Sequence, residues 1–391
     1  MELVTTGAEE NASLMPPDVP ASDVKSAPHP YDYAEVPLPL HKKMLCIITL
    51  PLLVPLVLLR ILLLLVLALL LVVVCIVFAR CRFLLQFSAA AIGRLCLLAF
   101  GVWPGMLHVR KPAKMEPAPI LAIAPHLGGL EAFVMMWEGL PRAIAMETYA
   151  NMPVISALFH ASGGIAVPVQ ASNDAARDAA SKTSSAPRAS AKVAPAPEVS
   201  SSVSGSDGAE EAPEASAAPP PQAAADASTV SKEKPAEKPS TLAVRKAIVA
   251  HKQTFDPSDP ARSIPLAILP EGTTHNGLSL LKFFSGAFAG GGPVQPVLLA
   301  YPYTHFHAAF FGGSIGDHAF RLLVNPWQWV VVTYLPVQHP SAEESENADL
   351  YAENVRQAMA AAAGLPLSEY GAKELRVEYT KMAVQGKKSK A

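Results

Sequence analysis

Ile123-Ala124-Pro125-His126-Leu127-Gly128-Gly129-Leu130-Glu131 places a histidine at the end of a short apolar run and a carboxylate five positions on, where a helical pattern begins. Acyl transfer to an alcohol uses this pairing of residue types. A hydroxyl is a poor nucleophile until a base titrating near neutrality takes its proton, and imidazole is the side chain best matched to that task. A carboxylate on the far ring nitrogen sets the tautomer and stabilises the imidazolium that forms as the oxygen attacks. Gly128 and Gly129 leave the backbone between them free to turn the two side chains together. A lone His and Glu of this spacing also arise as structural residues in many domains.

A second segment, Leu269-Pro270-Glu271-Gly272-Thr273-Thr274-His275-Asn276-Gly277, again runs from an apolar stretch into a glycine-containing turn. Its backbone amides, with the hydroxyls of Thr273 and Thr274, could cradle a phosphate or phosphodiester. Glu271 could hold a basic group or the backbone of the turn. His160, His305 and His307 lack the spacing of a metal site and read as helix-end or surface histidines. Trp327 and Trp329, before an apolar run, read as core or interface-belt aromatics.

Short apolar runs position these residues: Ile120 to Ala124, Ala143 to Met146, Ile165 to Val169, Pro265 to Leu269, Val294 to Ala300 and Trp329 to Leu335. Helical patterns fall at Leu130 to Glu138, Pro153 to His160, Leu242 to His251 and Ala348 to Ala363. The alternation predicts an α/β domain with a mixed, largely parallel sheet and flanking helices, spanning 113–385. Within it, residues 171–240 contain almost no large apolar side chain and include Pro219-Pro220-Pro221. That stretch is expected to be a disordered insertion.

Ahead of the domain, an apolar run from Met44 to Ala79 is interrupted only by Thr49, Pro51, Pro55 and Arg60. The part from Ile61 to Ala79, at about 1.5 Å per helical residue, reaches roughly the 30 Å of a bilayer core. Residues 43–112 are therefore expected to form a transmembrane or re-entrant helical anchor, followed from Phe83 to Leu107 by an interfacial or domain-packed helix. Lys42 and Lys43 on one flank balance Arg80, Arg82 and Arg94 on the other, so the charge rule sets no orientation. The proline-rich residues 1–42 are expected to be a disordered tail, and 386–391 a basic tail.

Across the 391 residues, 31 Lys and Arg against 33 Asp and Glu give no positive field for a polyanion, which argues against nucleic-acid binding. The four cysteines lie in or beside apolar stretches, without zinc or disulfide-scaffold spacing, and suit a reducing, cytosol-facing compartment.

Taken together, these motifs resemble the glycerolipid acyltransferase superfamily with its histidine, four-residue, aspartate motif, and most closely its lysophosphatidylcholine and lysophosphatidylethanolamine acyltransferases. The likeness runs in order through Ala124-Pro125-His126, Gly163-Gly164-Ile165-Ala166-Val167, Pro270-Glu271-Gly272-Thr273-Thr274, Ser285-Gly286-Ala287-Phe288, Val294-Gln295-Pro296-Val297 with Tyr301-Pro302-Tyr303, and Leu335-Pro336-Val337. It continues from Leu350 through Arg356 to Gly364-Leu365-Pro366-Leu367. The resemblance implies His126 as general base, Glu131 as the carboxylate that orients it, and Glu271, Gly272, Thr273 and Thr274 as the acceptor-binding turn. Pro296 and its neighbours would shape the acyl or headgroup pocket. It also implies catalysis without metal or bound cofactor, acyl-coenzyme A as co-substrate, and a lysophospholipid drawn from a membrane, the endoplasmic reticulum being the expected one.

Three departures stand out. Glu131 replaces the usual aspartate and is longer by one carbon–carbon bond of roughly 1.5 Å. Val169 and Gln170 stand where relatives usually carry an arginine, and Phe284 where they often carry a lysine. Losing those cations disfavours a phosphomonoester acceptor relative to a zwitterionic lysophospholipid; Arg142, Lys282 or His275 are candidate replacements. The alternatives are a lysophosphatidic acid or glycerol 3-phosphate acyltransferase, and a catalytically silent relative that binds membrane lipid.

Overall fold

Among the described residues, seven strands make one sheet: β1 (Leu107–Arg110), β2 (Ile120–Ala124), β3 (Arg142–Met146), β4 (Ile165–Val167), β5 (Leu266–Ile268), β6 (Val294–Ala300) and β7 (Val330–Tyr334). The computed structural model describes residues 29–30, 40–167, 239–302, 306–310 and 315–377. The strand order is β1-β7-β6-β2-β5-β3-β4, and every neighbouring pair is parallel except β6 with β7. This is the mixed, largely parallel sheet that the run pattern predicts.

The central strands are apolar on both faces because both faces are covered. Along β2, Ile120, Ala122 and Ala124 point into one hydrophobic cluster while Ile123 points into another, the two-residue period of a strand. The first cluster packs against the helices Pro239–Thr254 and Ala348–Ala363. The second packs against the helix Leu130–Trp137 and residues Ala308, Ala309 and Leu322.

In chain order the helices are α1 (Leu40–Val77), α2 (Arg82–Ala99), α3 (Leu130–Trp137), α4 (Glu147–Ala150), α5 (Pro153–Ser162), α6 (Pro239–Thr254), α7 (Ile315–Val324), α8 (Ala342–Glu346) and α9 (Ala348–Ala363). Asn347 caps the start of α9 by accepting from the amides of Asp349 and Leu350, and Gly364, left-handed at φ 65°, closes its end.

The apolar N-terminal run is one continuous helix of 38 residues through Pro51 and Pro55, so no re-entrant turn falls inside it. A short turn at 78–81 leads instead into α2. Leu53–Val77 and Arg82–Ala99 are both long and apolar enough to cross a membrane. Arg60, Leu67, Leu71 and Val74 of α1 form a buried stripe at spacings of seven, four and three residues. The stripe's apolar members pack beside α2 and α5, while Leu58, Leu62, Leu65, Leu69, Val73 and Ile76 face outward.

Two features depart from the expected layout. β1 falls before residue 113, inside the stretch assigned to the anchor, yet it pairs with β7 from Leu107↔Val330 to Arg110↔Thr333. With only four residues and an alternating half-buried pattern, it carries too few apolar positions to stand out from the helix before it. The helix α7 (Ile315–Val324) likewise falls where the run pattern predicts no element. The expected tails at 1–42 and 386–391 and the insertion at 171–240 lie outside the described residues, apart from residues 29–30, 40–42 and 239–240.

Candidate active site

β2 and β5 are adjacent and parallel, in register from Ile120↔Leu266 to Ala122↔Ile268, so the segments that follow them emerge side by side at the carboxyl edge of the sheet. That edge is where open α/β sheets build their sites. His126 follows β2 and Glu271 follows β5. Two hydrogen bonds tie the segments together: the His126 amide donates to Glu271 Oε2 at 2.6 Å, and the His275 amide donates to the His126 carbonyl at 3.1 Å.

The His126 side chain is 21% exposed and its Nδ1 lies 3.4 Å from Glu131 Oε1, whose side chain is 4% exposed. The same oxygen accepts the amides of Leu127 at 2.6 Å and Gly128 at 2.7 Å. Glu131 therefore serves both the imidazole and the free amides ahead of α3, a placement that the helix dipole favours. The extra methylene relative to aspartate lets the carboxylate fold back onto that loop. This leaves the histidine contact at the long end of a hydrogen bond.

Glu271 is wholly buried, as is the His275 ring beside it. Its Oε2 meets His275 Nε2 at 2.9 Å and its Oε1 accepts the Leu281 amide at 2.8 Å. Of the two tasks open to it, holding the turn is the one this geometry performs, and the side chain presents no surface to an acceptor. Gly272 is exposed at φ +66°, and Thr273 and Thr274 are half-buried beside it. A Cβ on Gly272 would come within 2.4 Å of the Phe284 ring. That backbone conformation and that contact together require glycine.

Pro296 is buried within β6, opposite Ala122 of β2. The three proposed replacement cations are placed differently. His275 is sealed against Glu271, and Lys282 is exposed near Glu369 at 3.5 Å. Arg142 begins β3, at the opposite edge of the sheet from His126. Val169, Gln170 and His305 lie outside the described residues.

Neighbouring residues add contacts that the sequence does not show. Asn276 donates through its amide to the Pro30 carbonyl and through its side chain to the His29 carbonyl, both at 3.0 Å, so the chain ahead of α1 touches the turn. His307 and His318 are both pushed down to about 4, first by burial and then by the Arg321 charge. Among the described residues no group of three or more His, Cys, Asp or Glu could hold a metal ion.

No protein-family model matches the chain. Lysophospholipid acyltransferase LPEAT1 of Arabidopsis thaliana is 45% identical over 117 residues, 30% of this chain and 29% of that protein. This stretch is homologous to the lysophospholipid acyltransferases. Two further relatives of this kind agree. Lysophospholipid acyltransferase LPCAT4 of Homo sapiens is 45% identical over 102 residues, 26% of this chain and 20% of that one. A lysophosphatidylcholine acyltransferase of Drosophila melanogaster is 42% identical over 107 residues, 27% of this chain and 20% of that one. The match to these lysophospholipid acyltransferases thus spans less than a third of their length. The crystal structure of PlsC, the 1-acyl-sn-glycerophosphate acyltransferase of Thermotoga maritima, aligns with 71% of this chain and 78% of its own, at 12% identity and a TM-score of 0.36.

Proposed function

We propose that the protein transfers a fatty acyl group from acyl-coenzyme A to the free hydroxyl of a lysophospholipid, with His126 as general base and Glu131 orienting it. The observation that carries this reading is a part-exposed imidazole paired with a buried carboxylate at the carboxyl edge of β2. The homology to lysophospholipid acyltransferases supports the same chemistry.

His126 takes the hydroxyl proton as the lipid oxygen attacks the thioester carbonyl. A carbon–oxygen bond forms, the carbon–sulfur bond breaks, and the imidazolium returns its proton to the departing thiolate. Glu131 holds the ring and offsets its positive charge while it is protonated. The outward apolar faces of α1 and α2 suit a bilayer surface, which would bring the acceptor to the site along the membrane. We place the catalytic domain on the cytosolic face of the endoplasmic reticulum. The absent cations favour a zwitterionic lysophospholipid over a phosphomonoester.

The test is a mass-spectrometric panel of acceptors and acyl-coenzyme A donors using membranes that carry the wild-type or His126→Ala chain. Wild type should acylate lysophosphatidylcholine or lysophosphatidylethanolamine, and His126→Ala should lose about 100-fold or more of that rate. Equal rates in the two would end the enzymatic reading. Turnover of lysophosphatidic acid or glycerol 3-phosphate alone would end the acceptor assignment.

A further inference from the structure

Glu131 carries one oxygen in full use and one idle. Oε1 serves His126 and two amides, whereas Oε2 is buried and has no hydrogen-bond partner. A buried carboxylate oxygen left without a donor is costly.

Two other buried side chains nearby are unpartnered as well. Tyr301, at the end of β6, is 5% exposed and its hydroxyl makes no hydrogen bond. His318, on α7, is 9% exposed and neither ring nitrogen makes one. The His318 ring rests on the motif itself, since a Cβ added to Gly128 would lie 3.2 Å from its Cε1 and Nε2. It also meets the Phe310 ring at 5.2 Å between centroids, and the Phe310 amide donates to the Leu127 carbonyl at 2.5 Å. Tyr301 shares one hydrophobic cluster with Leu127 and Leu130, which bracket the two glycines. Two unpaired side chains, Tyr301 and His318, therefore lie within reach of the charge on a carboxylate that itself has an unpaired oxygen.

Resting on the acyltransfer reading, we propose that Tyr301 and His318 are positioning residues that donate toward Glu131 Oε2, with a side-chain rotation or one intervening water closing the gap. Their chemistry is complementary, because the carboxylate lacks donors and both partners can supply one. Burial first, and the Glu131 charge second, raise Tyr301 far above its ordinary value, so its hydroxyl keeps its proton. His318 is held neutral by burial and by Arg321, against the opposing pull of Glu131, and so retains one ring N–H to give. Both are too buried to meet a lipid hydroxyl themselves. Their role is to hold the longer carboxylate so that Oε1 stays beside His126, a task aspartate's shorter reach would not impose.

The test is steady-state kinetics on the purified full chain in detergent, with Tyr301→Phe, His318→Asn, Glu131→Gln and the two doubles with Glu131→Gln. Each positioning variant should lower kcat about 10-fold or more, with KM for both substrates little changed. On the Glu131→Gln background neither should cost anything further, because the group they position is already disabled. A merely structural role predicts additive losses that follow the melting temperature. Additive losses, unchanged kcat or a pure KM effect would overturn the proposal. Tyr301→Phe removes one oxygen and keeps the ring, so it remains decisive if His318→Asn folds poorly. A wild-type rate insensitive to His126→Ala would bring down the acyltransfer reading first, and this inference with it.

Discussion

The amide of His126 donates to Glu271 Oε2 at 2.6 Å across 145 residues of sequence. The two segments that resemble catalytic motifs are therefore one device, with the second gripping the backbone of the first.

Replacing Glu271 with alanine leaves the amides of His126 and Leu281 and the ring of His275 without their acceptor in a site that excludes water. Breaking such a buried set costs about 3–5 kcal/mol. Glu271→Ala should therefore lose melting temperature and kcat together, whereas His126→Ala should lose kcat alone. Thermal unfolding in detergent, read beside turnover, checks this. A Glu271→Ala protein that melts like wild type would show that the grip is dispensable.

Arg60 makes a second prediction. Its guanidinium donates to the carbonyls of Leu323 and Asn325 at 2.6 Å each and of Pro326 at 3.1 Å, at the end of α7. It satisfies carbonyls that a helix end leaves open, and its charge suits the dipole there. Arg60→Met should strand those carbonyls, at about 1–3 kcal/mol each, and loosen the helix that carries His318. The outward apolar faces of α1 and α2 are untouched, so the variant should stay in the membrane fraction while its melting temperature and activity fall. Release into the soluble fraction would count against this division of labour.

The third prediction concerns pH. His307 and His318 are lowered to about 4 from an ordinary value of 6.5. Between those values the unfolded chain binds protons that the folded chain refuses. Their neutral burial therefore costs nothing above about pH 6.5, and stability declines as pH falls from there toward 4. The decline is on the order of 2–3 kcal/mol for each histidine. Melting temperatures between pH 7.5 and 4.5 should fall in wild type and fall less steeply in a His307→Gln, His318→Gln double variant. Parallel curves would refute the assignment.

Much of the sheet was legible in the residues. Ile120–Ala124 and Val294–Ala300 are strands to the residue, and Ala348–Ala363 is a helix to the residue. Long or fully apolar elements leave a periodic signal that survives any tertiary context. β1 left no such signal, being short and half-exposed. The apolar run before the domain announced a helix, but its two prolines suggested a break that the structure does not contain.

The site divided along a similar line. By itself the sequence determined which residue types could do acyl transfer and in which order they occur. It also settled that an apolar helix precedes them, because composition and period need only neighbouring residues to be read. Tertiary structure alone decided that Glu271 faces His126 and leaves the surface, that Pro296 sits inside the sheet, and that the His318 ring rests against Gly128. Those relations join residues far apart in the chain. They follow from β2 lying beside β5 and β6 and from α7 packing over Gly128, and no local pattern encodes the place where two distant strands meet.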